Sequence, residues 1–143
     1  FCLKPWFRNV ASSLRKEPKW FLRDWSVIAD EGQRFETMVA CHLLKAVEGW
    51  TDLGLGTFDL RYLRDKSQRE VDFLVVRDGQ PWFLVEAKLS DRNPAPGLLH
   101  FQRQTGATHA FQVVKNLPYV EANPFEKTNP VTVPARTLLA QLL

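Results

Sequence analysis

The sequence predicts an α/β sandwich, one sheet flanked by helices. Three observations predict it. Glu31–Val47 carries apolar residues at helical spacing; Thr57–Leu63, Glu70–Val76 and Trp82–Leu89 read as strands; and a short helix, Leu98–Gln104, leads to a further strand at His109–Lys115. Helix, three strands, helix, strand is the order of a layered α/β domain. A length of 143 residues suits one domain. With 45% hydrophobic and 24% charged residues the composition is that of a soluble globular protein. The 10 Phe, 5 Trp and 2 Tyr are ample for its core. Disorder and collagen-like repeats are excluded, and no apolar run approaches the ~20 residues of a membrane span.

The elements follow in order. Residues 1–25 are basic and punctuated by Pro5 and Pro18; Phe1–Phe7 reads as a strand and Lys19–Trp25 as a short extended piece, within a solvated connector. In the main helix Phe35, Met38, Val39, His42, Leu43, Ala46 and Val47 form the apolar stripe, Asp30 is the expected N-cap and Gly49 the expected stop. Glu36 falls inside that stripe and His42 at its edge. Thr57–Leu63 alternates Phe58, Leu60 and Tyr62 against Asp59 and Arg61, and Asp78-Gly79 marks a tight turn between the next two strands. Residues 91–97 read as a loop, Val131–Val133 as a strand and Thr137–Leu143 as a C-terminal helix.

A net charge of +3 permits nucleic-acid binding without showing it. Cys2 and Cys41 have neither metal nor redox spacing, and no secretory signal is present, so a cytoplasmic setting is expected. Because the chain begins with Phe, we expect it to be a piece of something longer.

The chemistry concentrates in Arg69-Glu70-Val71-Asp72 and Glu86-Ala87-Lys88. Residues two apart in a strand share a face, so Glu70 pairs with Asp72 and Glu86 with Lys88 at the strand ends remote from the turn. Glu36, pointing inward from its helix, is a candidate third acid. Like charges resist joint ionisation, and a hard divalent cation relieves that cost through oxygen ligands. A plain reading stands beside this one: cross-strand ion pairs on a half-exposed sheet. Arg61, Arg64, Lys66 and Arg69 read either as a phosphate track or as a solvated face.

Register decides between these outcomes. A two-residue Asp78-Gly79 loop pairs Arg77 with Gln80 and puts Asp72 opposite Val85, so that Asp72 and Glu86 face opposite ways. A three-residue loop, or a two-residue turn followed by a bulge, sets Asp72 opposite Glu86. We expect one of the latter.

Asp72, followed fourteen residues on by Glu86-Ala87-Lys88 and preceded by a helical Glu36, resembles the PD-(D/E)XK nuclease superfamily. More closely, the chain is similar to the C-terminal domain of unknown function attached to prokaryotic AAA-type ATPases. The stretches that carry this likeness are Arg34-Phe35-Glu36, Tyr62-Leu63-Arg64, Arg69–Val75, Val85–Lys88 and Phe101–Gly106. The resemblance implies a restriction-endonuclease-like sandwich with a mixed central sheet, spanning 26–143 behind a connector, 1–25, from an ATPase region. It implies Mg²⁺ or Mn²⁺ on Glu36, Asp72 and Glu86, catalysis by Asp72, Glu86 and Lys88, and DNA as partner; Arg61, Arg64, Lys66 and Arg69 are the candidate track for it because they lie beside the acids in the sequence. Gln102 would match a glutamine that some members place on the following helix, and Val71 replaces the proline of the superfamily name. No phosphate loop of the G-x-x-x-x-G-K-[ST] form is present. The alternative function is a non-catalytic module coupling an ATPase to a partner or an oligomer.

Overall fold

A computed structural model describes residues 1–7 and 17–142. Its centre is a seven-stranded mixed sheet in the order β2-β1-β3-β4-β5-β6-β7. The strands are β1 (Cys2–Pro5), β2 (Lys19–Trp20), β3 (Phe58–Arg64), β4 (Glu70–Arg77), β5 (Gln80–Lys88), β6 (His109–Val114) and β7 (Val131–Pro134). Helices α1 (Glu31–Asp52) and α3 (Ala135–Ala140) pack on one face and α2 (Pro96–Thr105) on the other. β3, β4 and β5 form an antiparallel meander, and α2 then crosses over so that β6 joins β5 in parallel.

Each helix buries its own apolar side. Phe35, Val39, Leu43 and Val47 of α1 meet Phe73, Val75, Phe83, Val85 and Phe111 of the sheet. Leu98 and Phe101 of α2 meet Val71, Leu74, Val76 and Leu84 from the other face. Asp30 caps α1 as expected, its carboxylate accepting from the Gln33 N–H. The helix runs past Gly49, the expected stop, to Asp52. The extra turn is held by Trp50, whose indole lies 5.1 Å from the Phe58 ring and 5.7 Å from Trp82. His42, placed by its spacing at the edge of the stripe, is exposed.

The N-terminal stretch supplies two strands to the sheet, within Phe1–Phe7 and at the start of Lys19–Trp25 as their sequence reads. β1 runs parallel to β3, β2 pairs antiparallel with β1, and Leu3 and Phe21 are buried in the α1-side core. Much of the expected basic linker, 8–16, lies outside the described residues.

The β4–β5 register follows the bulge alternative. Asp78 and Gly79 both take positive φ, 50° and 77°, forming a two-residue turn that pairs Arg77 with Gln80. Val76 then faces Pro81, but Val75 faces Phe83, leaving Trp82 as the extra residue. The bulge turns Trp82 toward the α1 side with Phe83, away from the face that holds Leu74, Val76 and Leu84. Beyond the bulge Phe73 faces Val85, and Asp72 and Glu86 are next in count.

Candidate acid–lysine site

The site forms where the β4–β5 ladder opens. Past Phe73 and Val85 the strands are tied through carboxylates: the Ala87 N–H donates to Asp72 Oδ2 at 2.9 Å, and the Asp72 N–H donates to Glu86 Oε2 at 3.3 Å. A second irregularity, opposite β3 between Arg61 and Leu63, breaks the alternation of β4. It leaves Val71 and Leu74 on the α2 side and sends the Asp72 carboxylate toward α1 and Glu36. The side chains of Asp72 and Glu86 are only 15% and 11% exposed.

Burial above all, then the charges of Glu86 and Glu36, push the Asp72 carboxyl up to about 8. The Ala87 N–H and Lys19 pull the other way without offsetting them. Lys88 Nζ pairs with Glu86 Oε1 at 2.8 Å. Burial would lower its pKa, but Glu86 and Asp72 hold it above the ordinary lysine value. Lys88 is therefore an ammonium at neutral pH.

Sequence reasoning missed Lys19. Its Nζ donates to Glu70 Oε1 at 2.6 Å and to Glu36 Oε1 at 3.1 Å, and lies 3.9 Å from Asp72 Oδ1. Burial would lower its pKa too, yet Glu36, Glu70 and Asp72 raise it. Glu70 carries a second partner, the Arg64 guanidinium. Although burial would raise the Glu70 pKa, Lys19 and Arg64 hold it below the usual carboxylate range. The signal for Lys19 was the short extended piece at Lys19–Trp25; nothing in the sequence showed which strand end it would reach.

The structure thus brings Glu36, Glu70, Asp72, Glu86 and Lys88 to one end of the sheet, with Lys19 among them. Among the described residues, no group of three or more His, Cys, Asp or Glu side chains is disposed to hold a metal ion in this arrangement. Lys19 takes up the space between Glu36, Glu70 and Asp72.

The four basic candidates divide. Arg61 pairs with Asp59 on its own strand, Arg61 Nε donating to Asp59 Oδ2 at 2.6 Å. Arg64, Lys66 and Arg69 line one cavity of about 380 Å³ together with Trp6, Phe7 and His100. Arg69 is bound to Asp65 there, its Nε 2.7 Å from Oδ2. Gln102 reaches the Thr108 and Thr128 carbonyls at the other end of β6, away from the acids. The glutamine beside the site is Gln112, wholly buried and level with Glu86 across the β5–β6 ladder. It donates to the Asp91 and Asn93 carbonyls and accepts from the Ala95 N–H, which fixes the loop leading into α2.

Fold and site together define a mixed α/β domain with a half-buried acid–lysine constellation at one end of its central sheet. The chain belongs to a family described as a domain of unknown function (DUF4143), whose model matches residues 31–134, from the start of α1 to the end of β7. No curated protein and no solved structure gives a significant match. No helix among the described residues is long and apolar enough to cross a membrane.

Proposed function

We propose that this domain is a metal-dependent nuclease of the PD-(D/E)XK type, with a restriction-endonuclease-like core. It hydrolyses DNA phosphodiesters as the C-terminal part of a cytoplasmic AAA-type ATPase. The observation that carries the reading is the meeting of Asp72 and Glu86 at the open end of the β4–β5 ladder, with Lys88 on Glu86 and Glu36 facing Asp72 from α1. The donor set suits Mg²⁺ or Mn²⁺: all its atoms are carboxylate oxygens, the choice of hard cations. Burial first, and then the charges of Glu86 and Glu36, raise the Asp72 pKa, a cost that a bound cation would relieve.

Glu36, Asp72 and Glu86 would hold the ion once Lys19 moves from between them. A bound metal supplies an activated water and stabilises charge on the phosphate. Lys88 stays protonated, so it serves as a donor to a phosphate oxygen or to the attacking water and not as a proton acceptor. Asp72 holds its Oδ2 toward the Ala87 N–H, which fixes the carboxylate against the neighbouring strand. Arg64, Lys66 and Arg69 line a cavity against α2, and Arg64 links that cavity to the acids through Glu70, which suits a phosphate backbone that rounds the strand end to the site.

One observation favours the second reading, a non-catalytic module: Lys19 already neutralises part of the acid cluster. The deciding experiment is cleavage of linear, branched and single-stranded DNA with Mg²⁺ or Mn²⁺. The nuclease reading expects metal-dependent cleavage that Lys88→Ala abolishes. Absence of cleavage from both the wild type and Lys19→Gln would leave the coupling module.

A further inference from the structure

The acid cluster already holds a cation, and it belongs to the chain. Among the described residues, the ion pairs of Glu36 and Asp72 are all with Lys19. Glu70 differs, since it keeps Arg64 if Lys19 leaves.

The backbone on either side of Lys19 is anchored. Before it, the Glu17 carbonyl accepts from Tyr62 Oη at 2.6 Å. After it, Phe21 is buried, stacks on Phe1 and leans on Phe73. Lys19 itself pairs with Leu3 in the β1–β2 ladder. The side chain is freer: a four-carbon stem carries the ammonium past the rings of Tyr62 and Phe21, 5.6 and 5.8 Å from their centroids. It can therefore swing out while the strand stays in place.

We propose that Lys19 is an intramolecular counter-cation that competes with a divalent metal ion for Glu36 and Asp72, so that the β2 edge strand sets the threshold at which the site takes metal. This rests on the metal-dependent reading above and adds its regulation. The two cations exclude each other, because an ion about 2.1 Å from its carboxylate oxygens would sit where the ammonium now bonds. Their like charges add to the steric conflict. Whatever draws Lys19 aside, a substrate phosphate included, lowers the threshold.

The test is a Mn²⁺ titration of the whole chain, followed by calorimetry. Lys19→Gln, which keeps a hydrogen-bond donor but no charge, should bind Mn²⁺ about tenfold more tightly than the wild type or better. Lys19→Met should show the same gain, and Lys19→Arg should not. Adding Asp72→Asn to Lys19→Gln should remove the binding. In the wild type, saturating Mg²⁺ should shift the Lys19 Nζ resonance, which keeps the proposal testable even if the neutral variants fold poorly. An unmoved resonance at saturation overturns it. Tight wild-type binding that is lost in Asp72→Asn but unchanged in Lys19→Gln also overturns the role of Lys19, and it leaves the nuclease reading intact. Absence of binding in every variant overturns both.

Discussion

Replacing Asp72 by Asn should stabilise this protein at neutral pH. The Asp72 carboxyl is pushed up to about 8 by burial first and then by Glu86 and Glu36, against an ordinary 3.8. Its folded pKa lies above its unfolded one. Between those two pH values the folded chain holds a proton that the unfolded chain has released. Stability is therefore full below the unfolded pKa and falls as pH rises through the window from about 4 to about 8. Each pKa unit is worth about 1.4 kcal/mol, so at pH 7 this one carboxyl costs the fold up to about 4 kcal/mol. Asparagine matches aspartate in size, cannot ionise, and keeps a carbonyl oxygen for the Ala87 N–H now bonded at 2.9 Å. Its amide loses part of the gain through imperfect pairing, which leaves about 2 kcal/mol, or roughly 6 °C in Tm for a domain of this size. Thermal and urea unfolding from pH 5 to 9, with chelator present, measures it. The wild type should lose stability toward pH 8 while Asp72→Asn stays flatter and melts higher. A variant that melts lower throughout, or a pH profile parallel to the wild type, would show that the Asp72 carboxyl is not raised by burial. A side chain whose loss stabilises the fold is retained for something other than stability.

Other outcomes follow from the same geometry. Glu70→Gln weakens the pairs with Lys19 and Arg64 and should cost about 1–2 kcal/mol at pH 7 by urea unfolding. The Glu70 pKa is depressed, so the stability it contributes is present above about 4.5 and lost as pH falls; the gap between variant and wild type should close in acid. Gln112→Leu strands the Asp91 and Asn93 carbonyls and should cost about 2–3 kcal/mol, with faster amide exchange at Ala95. If DNA follows the basic cavity, binding should weaken with salt at a log–log slope of about −0.9 per phosphate on duplex DNA. Arg64→Ala with Lys66→Ala should flatten that slope, and an unchanged slope would place the DNA elsewhere.

Much of the fold was legible because local periodicity dictates it. The α1 stripe, the three strands of the meander and the crossover to β6 all follow from spacing, and the structure shifts their ends by a few residues. The end of α1 was less legible, because Gly49 is a helix breaker by propensity while the Trp50 contacts that override it come from β3 and β5. The need for a bulge could be deduced from the parity between Asp72 and Glu86. Its location at Trp82 could not, since the rings that receive the indole, Trp50, Phe58 and Phe125, come from distant parts of the chain. Arg61 illustrates a signal that was available: Asp59 lies two residues away on the same strand, and the two pair. Lys19 illustrates one that was not. Its partners are 17 and 51 residues distant, and a two-residue edge strand brings them together.

The metal-dependent reading stands or falls on whether Asp72 and Glu86 share one metal ion. Crystals of Lys19→Gln grown with Mn²⁺ can be measured for anomalous scattering. A shared ion gives a single strong peak roughly 2.1 Å from a carboxylate oxygen of each residue, with Glu36 turned toward it. A map with no peak between them, or with Mn²⁺ bound only to carboxylates elsewhere on the surface, would contradict that reading.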